Sequence, residues 1–252
     1  MRSHAHAHSL AAAAKPSPAC DRLRTLLRLL LTMQRASACT SRHRQNQGQC
    51  GSCWAFSTVG SVEGAFFAAS GKLIPLAEEE LVECDNVDSG CQGGAMENAF
   101  IWIEKHGLAS QAQYNYTSGG GTVGRCNRKA ERHAVVGIDG FHDIPTGDEH
   151  ALQEAVVNTP VSIAIEADKS IFQLYKGGVL DNPKCGLHPP ALDHGVLLVG
   201  YGSDERSGKD YWTVKNSWGA SWGEHGYVRM VRGKNMCGVA SRASYPLGAH
   251  AV

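Results

Sequence analysis

Apolar residues recur at helical spacing directly after residue 53. The pattern predicts a largely buried helix over residues 53–70, which Gly71 ends by adopting the left-handed backbone common at helix C-termini. Residues 78–84 and 95–106 are predicted as two further helices, the second closed by Gly107. The apolar positions of the first helix are Trp54, Phe56, Val59, Val62, Phe66 and Phe67.

Beyond about residue 135 the pattern changes to short strands separated by Gly-rich turns. Helices early in the chain and strands later predict an α+β fold, with residues 46–140 as a mainly helical lobe and residues 141–247 as a mainly β lobe. A cleft between two such lobes is the expected ligand site. The predicted strands are residues 161–165, 195–200, 211–215 and 227–231.

Residues 1–45 differ in character from the rest of the chain, residues 46–252. They hold seven arginines against one acidic residue, Asp21, and three histidines that alternate with alanine. Three interpretations stay open: a targeting peptide, a degenerate pro-region, or sequence that is not native. The chain contains no run of 18 apolar residues, so a membrane span is not expected.

Composition narrows the class of protein. Hydrophobic residues make up 42% of the 252 residues, which is typical of a globular protein. Lys+Arg and Asp+Glu are both 24, so the formal net charge is zero. This balance gives no electrostatic argument for nucleic acid or an anionic membrane as the main partner.

The cysteine count indicates an oxidising compartment. Seven of the nine cysteines lie after residue 45, an odd number that leaves one thiol over if three disulfides form. Buried reduced cysteines are the alternative, because cysteine packs as a small apolar residue. The seven are Cys50, Cys53, Cys84, Cys91, Cys126, Cys185 and Cys237.

Cys53 is the candidate nucleophile. It starts the first predicted helix, where the positive end of the helix dipole favours a thiolate. His194, beside a small Gly195, is the candidate general acid/base, and Asn216 can accept a hydrogen bond from its ring and orient it. Cys50-x-x-Cys53 also suggests zinc, but the spacing of Cys84 and Cys91 departs from that of zinc fingers, so no metal is expected.

Two further residues support this chemistry. Trp218 is expected to cover the hydrogen bond between His194 and Asn216 and to exclude water from it. Gln47, six residues before Cys53, can donate its side-chain N–H to a developing oxyanion beside the Cys53 backbone N–H.

Four segments in this order resemble the papain-like cysteine proteases, in particular their cathepsin L-like and plant branch. His194 follows Cys53 by 141 residues, within the spacing of about 130–150 residues typical of that family, whereas Asn216 follows by 163 residues, slightly beyond it. The resemblance covers residues 46 to about 247. The segments are Gln47-Gly48-Gln49-Cys50-Gly51-Ser52-Cys53-Trp54-Ala55-Phe56-Ser57, Cys91-Gln92-Gly93-Gly94, Asp193-His194-Gly195-Val196 and Lys215-Asn216-Ser217-Trp218-Gly219.

The resemblance implies a fold and a set of site residues. The fold is a helical L lobe and an antiparallel β-barrel-like R lobe with the active-site cleft between them. Cys53, His194, Asn216 and Gln47 are the implied catalytic residues. The implied disulfides are Cys50–Cys91, Cys84–Cys126 and Cys185–Cys237, which leave Cys53 as the odd thiol. The implied substrate-binding residues are Gly93, Gly94, Ala95, Met96, Ala164, Leu192, Gly195, Trp218 and Arg242.

The implied activity is that of an endopeptidase with an acyl-enzyme intermediate. It prefers a hydrophobic residue at P2, the second residue on the N-terminal side of the cleaved bond. Arg242 either widens acceptance to an acidic P2 residue or extends its guanidinium to solvent. No insertion that could form an exopeptidase's occluding loop follows Gly94.

The implied setting is a monomer without cofactor, found in a lysosome or vacuole or outside the cell, with peptide and protein substrates and cystatin-type inhibitors as partners. A catalytically silent peptide-binding protein and an incomplete zymogen fragment are the alternatives. The second arises because no long inhibitory propeptide and no mature-chain start containing Asp-Trp-Arg precede Gln47.

Overall fold

The structure is a computed structural model and describes residues 45–186 and 191–252. The N-terminal segment predicted over residues 1–45 therefore lies outside the described residues except for Gln45. Six α-helices occur in the described part: α1 Cys53–Ser70, α2 Glu78–Cys84, α3 Met96–His106, α4 Arg128–Glu131, α5 Glu149–Asn158 and α6 Ser170–Gln173.

Helix α1 is buried along most of its length. All its residues from Trp54 to Phe66 are buried, including small and polar ones. The helix ends where Gly71 takes a left-handed conformation (φ 70°) and donates its N–H to the Phe67 carbonyl. The helices predicted over residues 53–70 and 78–84 are confirmed, and the third starts at Met96, one residue later than predicted.

Within the described residues, nine strands follow the early helices. Seven form one sheet in the order β2-β8-β3-β5-β6-β7-β4, while β1 pairs with β9. All pairs are antiparallel except β4–β7, which is parallel. The strands are β1 Val136–Gly137, β2 Gly140–Ile144, β3 Val161–Ile165, β4 Val179–Leu180, β5 His194–Asp204, β6 Lys209–Lys215, β7 Tyr227–Val231, β8 Arg242–Leu247 and β9 His250–Ala251.

Two apolar clusters make up the core. The first gathers buried residues almost entirely from residues 50–138 around α1, α2 and α3, and the second gathers residues 144–243 around the sheet. Helix α1 contacts β5, β3 and β8, so it packs against both groups. The α+β fold predicted from the order of helices and strands is confirmed.

Helix α5 was not predicted. It packs Leu152 and Val156 against the sheet, and the Asp148 side chain caps it by accepting hydrogen bonds from the N–H groups of His150 and Ala151. Two buried residues in ten give only a weak periodic signal, but an aspartate before a helix-forming run is an N-terminal signal that the sequence does carry.

Candidate active site

Cys53 lies at the first position of α1, and its thiol is free and partly exposed. The chain before it is held by the disulfide between Cys50 and Cys91 and by the hydrogen bond from the Gly51 N–H to the Cys91 carbonyl, 2.9 Å. This anchoring leaves Cys53 as the residue at which the N-terminus of a buried helix reaches solvent. The geometry suits a nucleophile because the helix dipole favours a negative charge at that position.

His194 and Asn216 meet because β5 and β6 run antiparallel. His194 begins β5, and Asn216 directly follows the last residue of β6, so the two lie side by side at one end of the strand pair. The His194 Nε2 and the Asn216 Oδ1 are 2.7 Å apart, and both residues are buried. Because Nε2 is engaged with Asn216, the other ring nitrogen, Nδ1, is the one available to Cys53.

Cys53 and His194 shift each other's pKa values in opposite directions. Burial raises the pKa of Cys53, but the hydrogen bond and charge of His194, together with backbone hydrogen bonds from Gly195 and Trp54, lower it by more. Burial lowers the pKa of His194, but the hydrogen bond and charge of Cys53 and the Asn216 oxygen raise it by more. Both shifts favour a thiolate beside an imidazolium.

Trp218 covers the histidine. Its ring stacks on the His194 imidazole with the centroids 4.7 Å apart and the planes 30° apart. Trp222 and Phe172 pack edge-on against Trp218 and hold it in place. A stacked indole keeps water from the His194 side chain and from the hydrogen bond that orients it, which strengthens that bond.

Two hydrogen bonds determine the orientation of the Gln47 side-chain amide. Ser217 Oγ donates to Gln47 Oε1 (2.6 Å), and Gln47 Nε2 donates to the Cys50 carbonyl (2.8 Å). Because the oxygen is taken by a donor, the NH₂ group must point the other way, and one of its two hydrogens is left for a ligand. The Gln47 N–H also bonds to the Ser217 carbonyl, 2.9 Å, so this residue is held at both ends.

A cleft of about 330 Å³ opens in front of Cys53. It brings together eight of the nine substrate-binding residues expected from the sequence, whereas Trp218 lies behind His194. The exposed Gly94 needs to be glycine, since a Cβ there would lie 2.6 Å from the Trp54 ring. The cleft is lined by Gly51, Cys53, Trp54, Cys91, Gln92, Gly93, Gly94, Ala95, Met96, Ala164, Leu192, Asp193, His194, Gly195 and Arg242.

Arg242 reaches the cleft but is paired with a carboxylate. Its Nη2 lies 2.6 Å and its Nε 2.9 Å from the two oxygens of Glu97, in the first turn of α3. The Arg242 side chain is 51% exposed. Sequence reasoning missed Glu97 as well as Ser217, because each acts on a residue more than a hundred positions away.

The cysteines form the three disulfides that the resemblance implies. Cys50 pairs with Cys91, Cys84 with Cys126, and Cys185 with Cys237. Cys84, Cys126 and Glu131 place one potential metal-ligand atom each within 4.8 Å of one another. Since both cysteines are in a disulfide, they offer no thiolate, and this group does not fit a metal ion.

Comparisons with known families give one assignment over most of the chain. The profile of the family described as "Papain family cysteine protease" matches residues 33–247. "Cysteine protease 1" of Oryza sativa subsp. japonica is 50% identical over 210 residues, which are 81% of this chain and 41% of that protein. "Oryzain beta chain" of the same plant is 51% identical over 209 residues, 80% of this chain and 43% of that protein. The chain therefore spans less than half the length of these two relatives.

Solved structures agree with the sequence comparisons. The bromelain protease from Ananas comosus, solved with the inhibitor E64, superposes with a TM-score of 0.76 at 37% identity, over 84% of this chain and 96% of bromelain. Digestive procathepsin L 3 of the Tenebrio molitor larval midgut gives a TM-score of 0.77 at 42% identity, over 84% of this chain and 68% of the procathepsin. No helix within the described residues is long and apolar enough to cross a membrane.

Proposed function

This chain belongs to the papain family of cysteine proteases, and we propose that it is a cysteine-type endopeptidase in which Cys53 and His194 carry out the chemistry. The observation that supports this most directly is the ordered arrangement of Cys53, His194 and Asn216, with Trp218 stacked over the histidine. The two-lobe division, residues 46–140 and 141–247, is part of the proposal, and the two apolar clusters support it.

In the first half of the reaction the Cys53 thiolate attacks the carbonyl carbon of the scissile peptide. A C–S bond forms, and the π electrons of the carbonyl move to its oxygen. As this intermediate collapses, the C–N bond breaks and His194 Nδ1 gives its proton to the leaving nitrogen. The products are a free amine and a thioester on Cys53.

In the second half a water molecule hydrolyses the thioester. His194, now neutral, takes a proton from the water while its oxygen attacks the acyl carbon. The C–S bond then breaks, which releases the carboxylic acid and restores the thiolate beside the imidazolium. Asn216 keeps the ring in one orientation throughout, since its oxygen accepts from Nε2 in both protonation states.

The oxyanion is stabilised by the Cys53 backbone N–H and by the free hydrogen of the Gln47 amide. Both donors are held in advance: the first belongs to the first turn of α1, and the second is oriented by Ser217 and the Cys50 carbonyl. Each donor that does not have to reorganise during the reaction contributes roughly two to three orders of magnitude in rate.

The substrate binds as an extended strand along the exposed Gly94. The neighbouring Gly93 shapes this edge, since its N–H and C=O are bonded to the Gly90 carbonyl and the Ser89 N–H. The P2 side chain of the substrate points to a pocket of small and apolar side chains, Ala95, Met96, Ala164 and Leu192, with Arg242 at one end. The Arg242 charge is offset by Glu97, which supports a hydrophobic P2 preference over an acidic one.

The natural setting is part of the same proposal. Three disulfides support a vacuolar, lysosomal or extracellular location, because such bonds persist in oxidising compartments. Peptides and proteins are the proposed substrates. Thiol-directed inhibitors, cystatins among the protein ones, are further proposed partners, and the E64 complex of bromelain supports the small-molecule class. The chain is proposed to act as a monomer.

A catalytically silent peptide-binding protein is the competing function, and one experiment separates the two. A fluorogenic peptide amide with Leu or Phe at P2 and Arg at P1 is incubated with the chain at acidic pH, with and without an epoxide thiol inhibitor. We expect turnover, and one covalent label on Cys53 that abolishes it. Cys53→Ala should show neither turnover nor label. Absence of both in the folded wild-type chain would leave only the silent function.

A further inference from the structure

The hydroxyl group of Tyr116 joins two residues next to the proposed nucleophile. It donates a hydrogen bond to the Gln47 carbonyl (2.9 Å) and lies 2.8 Å from the Ser52 Oγ. The ring packs edge-on against Phe56 of α1, with the centroids 4.9 Å apart. Tyr116 itself is not among the residues that line the cleft. Its only route to the chemistry in the described structure is therefore through Gln47 and Ser52.

The direction of these hydrogen bonds follows from the chemistry of a phenol. Burial raises the pKa of Tyr116 to about 12, so the hydroxyl stays protonated at working pH. Its single hydrogen is donated to the Gln47 carbonyl, and the phenol oxygen is therefore the acceptor toward Ser52. The chain of donors runs from the Ser52 hydroxyl to Tyr116 and on to Gln47.

Ser52 occupies the N-cap position of α1 but does not cap the helix with its side chain. A serine at this position usually accepts a hydrogen bond from the backbone N–H of the second or third helical residue. Here no such side-chain bond exists, and the hydroxyl is directed to Tyr116. Burial raises the pKa of Cys53, and the backbone N–H of Trp54, the second helical residue, is among the groups that lower it by hydrogen bonding.

Glu79 anchors the two residues that follow Tyr116 and so holds Tyr116 in position. This buried carboxylate accepts four hydrogen bonds, from the N–H and the hydroxyl of both Thr117 and Ser118, at 2.7–3.1 Å. The same loop accepts a hydrogen bond from the Gln49 N–H at the Gly119 carbonyl, 2.9 Å. The loop of residues 116–119 is thus anchored at its base, and the Tyr116 hydroxyl is presented to the nucleophile segment at a defined place.

We propose that Tyr116 is a positioning residue of the active site, which holds the Ser52 hydroxyl away from the helix N–H groups and fixes the backbone of Gln47. The inference rests on the proposed function. By engaging Ser52, Tyr116 keeps the Trp54 N–H free for the Cys53 thiolate. By binding the Gln47 carbonyl, it holds the residue that carries the second oxyanion donor.

Tyr116→Phe tests both consequences because it removes only the hydroxyl and keeps the ring on Phe56. The freed Ser52 hydroxyl then competes for the Trp54 N–H, so the thiolate loses a donor. We expect the pKa of Cys53, measured as the pH dependence of iodoacetamide alkylation, to rise by about one unit. We also expect kcat/KM for the fluorogenic peptide to fall roughly tenfold, mainly through kcat.

Two double variants separate a positioning role from a loss of packing. Ser52→Ala removes the competing hydroxyl, so Ser52→Ala with Tyr116→Phe should return the alkylation pKa to the wild-type value. Binding of a peptide aldehyde, whose adduct with Cys53 carries an oxyanion, should weaken in Tyr116→Phe. That loss should disappear in a Gln47→Ala background, because Tyr116 acts on this donor through Gln47.

Tyr114→Phe is the matched control. Tyr114 lies in the same segment and is buried, whereas Tyr116 is partly buried. The Tyr114 hydroxyl bonds to Glu83 and to the Asn127 N–H, away from the cleft. Its alkylation pKa and aldehyde affinity should equal those of the wild type even if its melting temperature falls.

An alkylation pKa in Tyr116→Phe equal to that of Tyr114→Phe would overturn the role of Ser52. If Tyr116→Phe does not fold, Ser52→Ala alone still decides: a raised alkylation pKa there would show that the serine hydroxyl supports the thiolate rather than competing with it. Alkylation requires no turnover, so a wild-type chain that fails to hydrolyse peptides contradicts the proposed function and leaves this test intact.

Discussion

Arg242 and Glu97 form a bidentate ion pair at the end of the cleft. The Arg242 Nη2 and Nε lie 2.6 and 2.9 Å from the two carboxylate oxygens of Glu97. Arg242 comes from β8 and Glu97 from α3, so the pair joins the sheet to the helical part of the molecule. It places a neutralised charge beside the proposed P2 pocket, so the two P2 hypotheses differ in what they predict when the pair is broken.

Removing the carboxylate of this pair is expected to change P2 selectivity. Glu97→Gln leaves the Arg242 charge without a partner beside the pocket, so the ratio of kcat/KM for P2-Glu over P2-Leu peptides should rise roughly fivefold, as expected for a half-exposed charge pair worth about 1 kcal/mol. Parallel assays of the two peptides measure it. The double variant Glu97→Gln with Arg242→Ala should return to the wild-type ratio. An unchanged ratio in Glu97→Gln would mean that Arg242 does not face P2.

The pH dependence of the reaction should follow the two opposite pKa shifts of the catalytic pair. Activity rises as pH increases through the lowered pKa of Cys53, because the thiolate forms, and falls as pH increases through the raised pKa of His194, because the imidazolium is lost. The plot of kcat/KM against pH is therefore expected to be bell-shaped. The two pKa values that it yields describe the Cys53–His194 pair as a whole and not either residue alone.

His194→Ala checks this assignment through alkylation of Cys53 by iodoacetamide. Without the imidazolium, the thiol loses its main stabilising partner and burial dominates, so the alkylation pKa should move above the ordinary value of a cysteine. A pKa that stays low in His194→Ala would assign the effect to the helix N-terminus instead.

Buried carboxyl groups in α2 should make the folded state more stable in acid than at neutral pH. Burial raises the pKa of Glu80 to about 7 and that of Glu78 to about 7, from an ordinary 4.5. Between pH 4.5 and about 7 the folded chain therefore binds more protons than the unfolded chain, and stability is lost as pH rises through this window. For one such group, the free energy of unfolding that is lost across this window is up to about 3 kcal/mol.

The contribution of Glu80 can be isolated by substitution. Glu80→Gln mimics the protonated form, so its stability relative to wild type should improve steadily from pH 5 to pH 8, read as the difference in denaturant midpoints. Glu104→Gln, at an exposed position of α3, should show a constant difference. A constant difference for Glu80→Gln as well would show that this carboxyl is already ionised at pH 5.

Packing between α1 and the segment before β3 should make one helical glycine irreplaceable. A Cβ on Gly64 would lie 2.4 Å from the ring of Pro160, which cannot swing away as a flexible side chain would. We expect Gly64→Ala to lower the free energy of unfolding by about 1–3 kcal/mol, although alanine is the better helix former. Thermal or denaturant unfolding measures the change.

Ala69→Gly supplies the reference for that substitution. Ala69 is exposed in the last turn of the same helix, so the change reports only the intrinsic preference, a loss of about 0.5–1 kcal/mol. If Gly64→Ala proved stabilising, the contact with Pro160 would have to relax without cost.

Local features of the chain were sufficient to predict much of the fold. Helix α1 could be predicted because its large apolar residues recur at helical spacing and Gly71 supplies the left-handed end. Strand β3 could be predicted because three β-branched residues alternate with small ones between turn signals, and its ends at Val161 and Ile165 agree with the prediction. Both signals arise from backbone preferences that operate over a few neighbouring residues.

Several long-range contacts around the site were decided by tertiary structure alone. Ser217 orients the Gln47 amide across 170 positions of sequence, Tyr116 reaches Gln47 across 69, and Arg242 meets Glu97 across 145. A serine, a tyrosine or an ion pair at such separations carries no local pattern, because its partner is chosen by how the helical part packs against the sheet. The sequence by itself thus determined the first three helices and the main strands and indicated the proposed reactive residues, whereas the packing of α1 against the sheet determined their geometry.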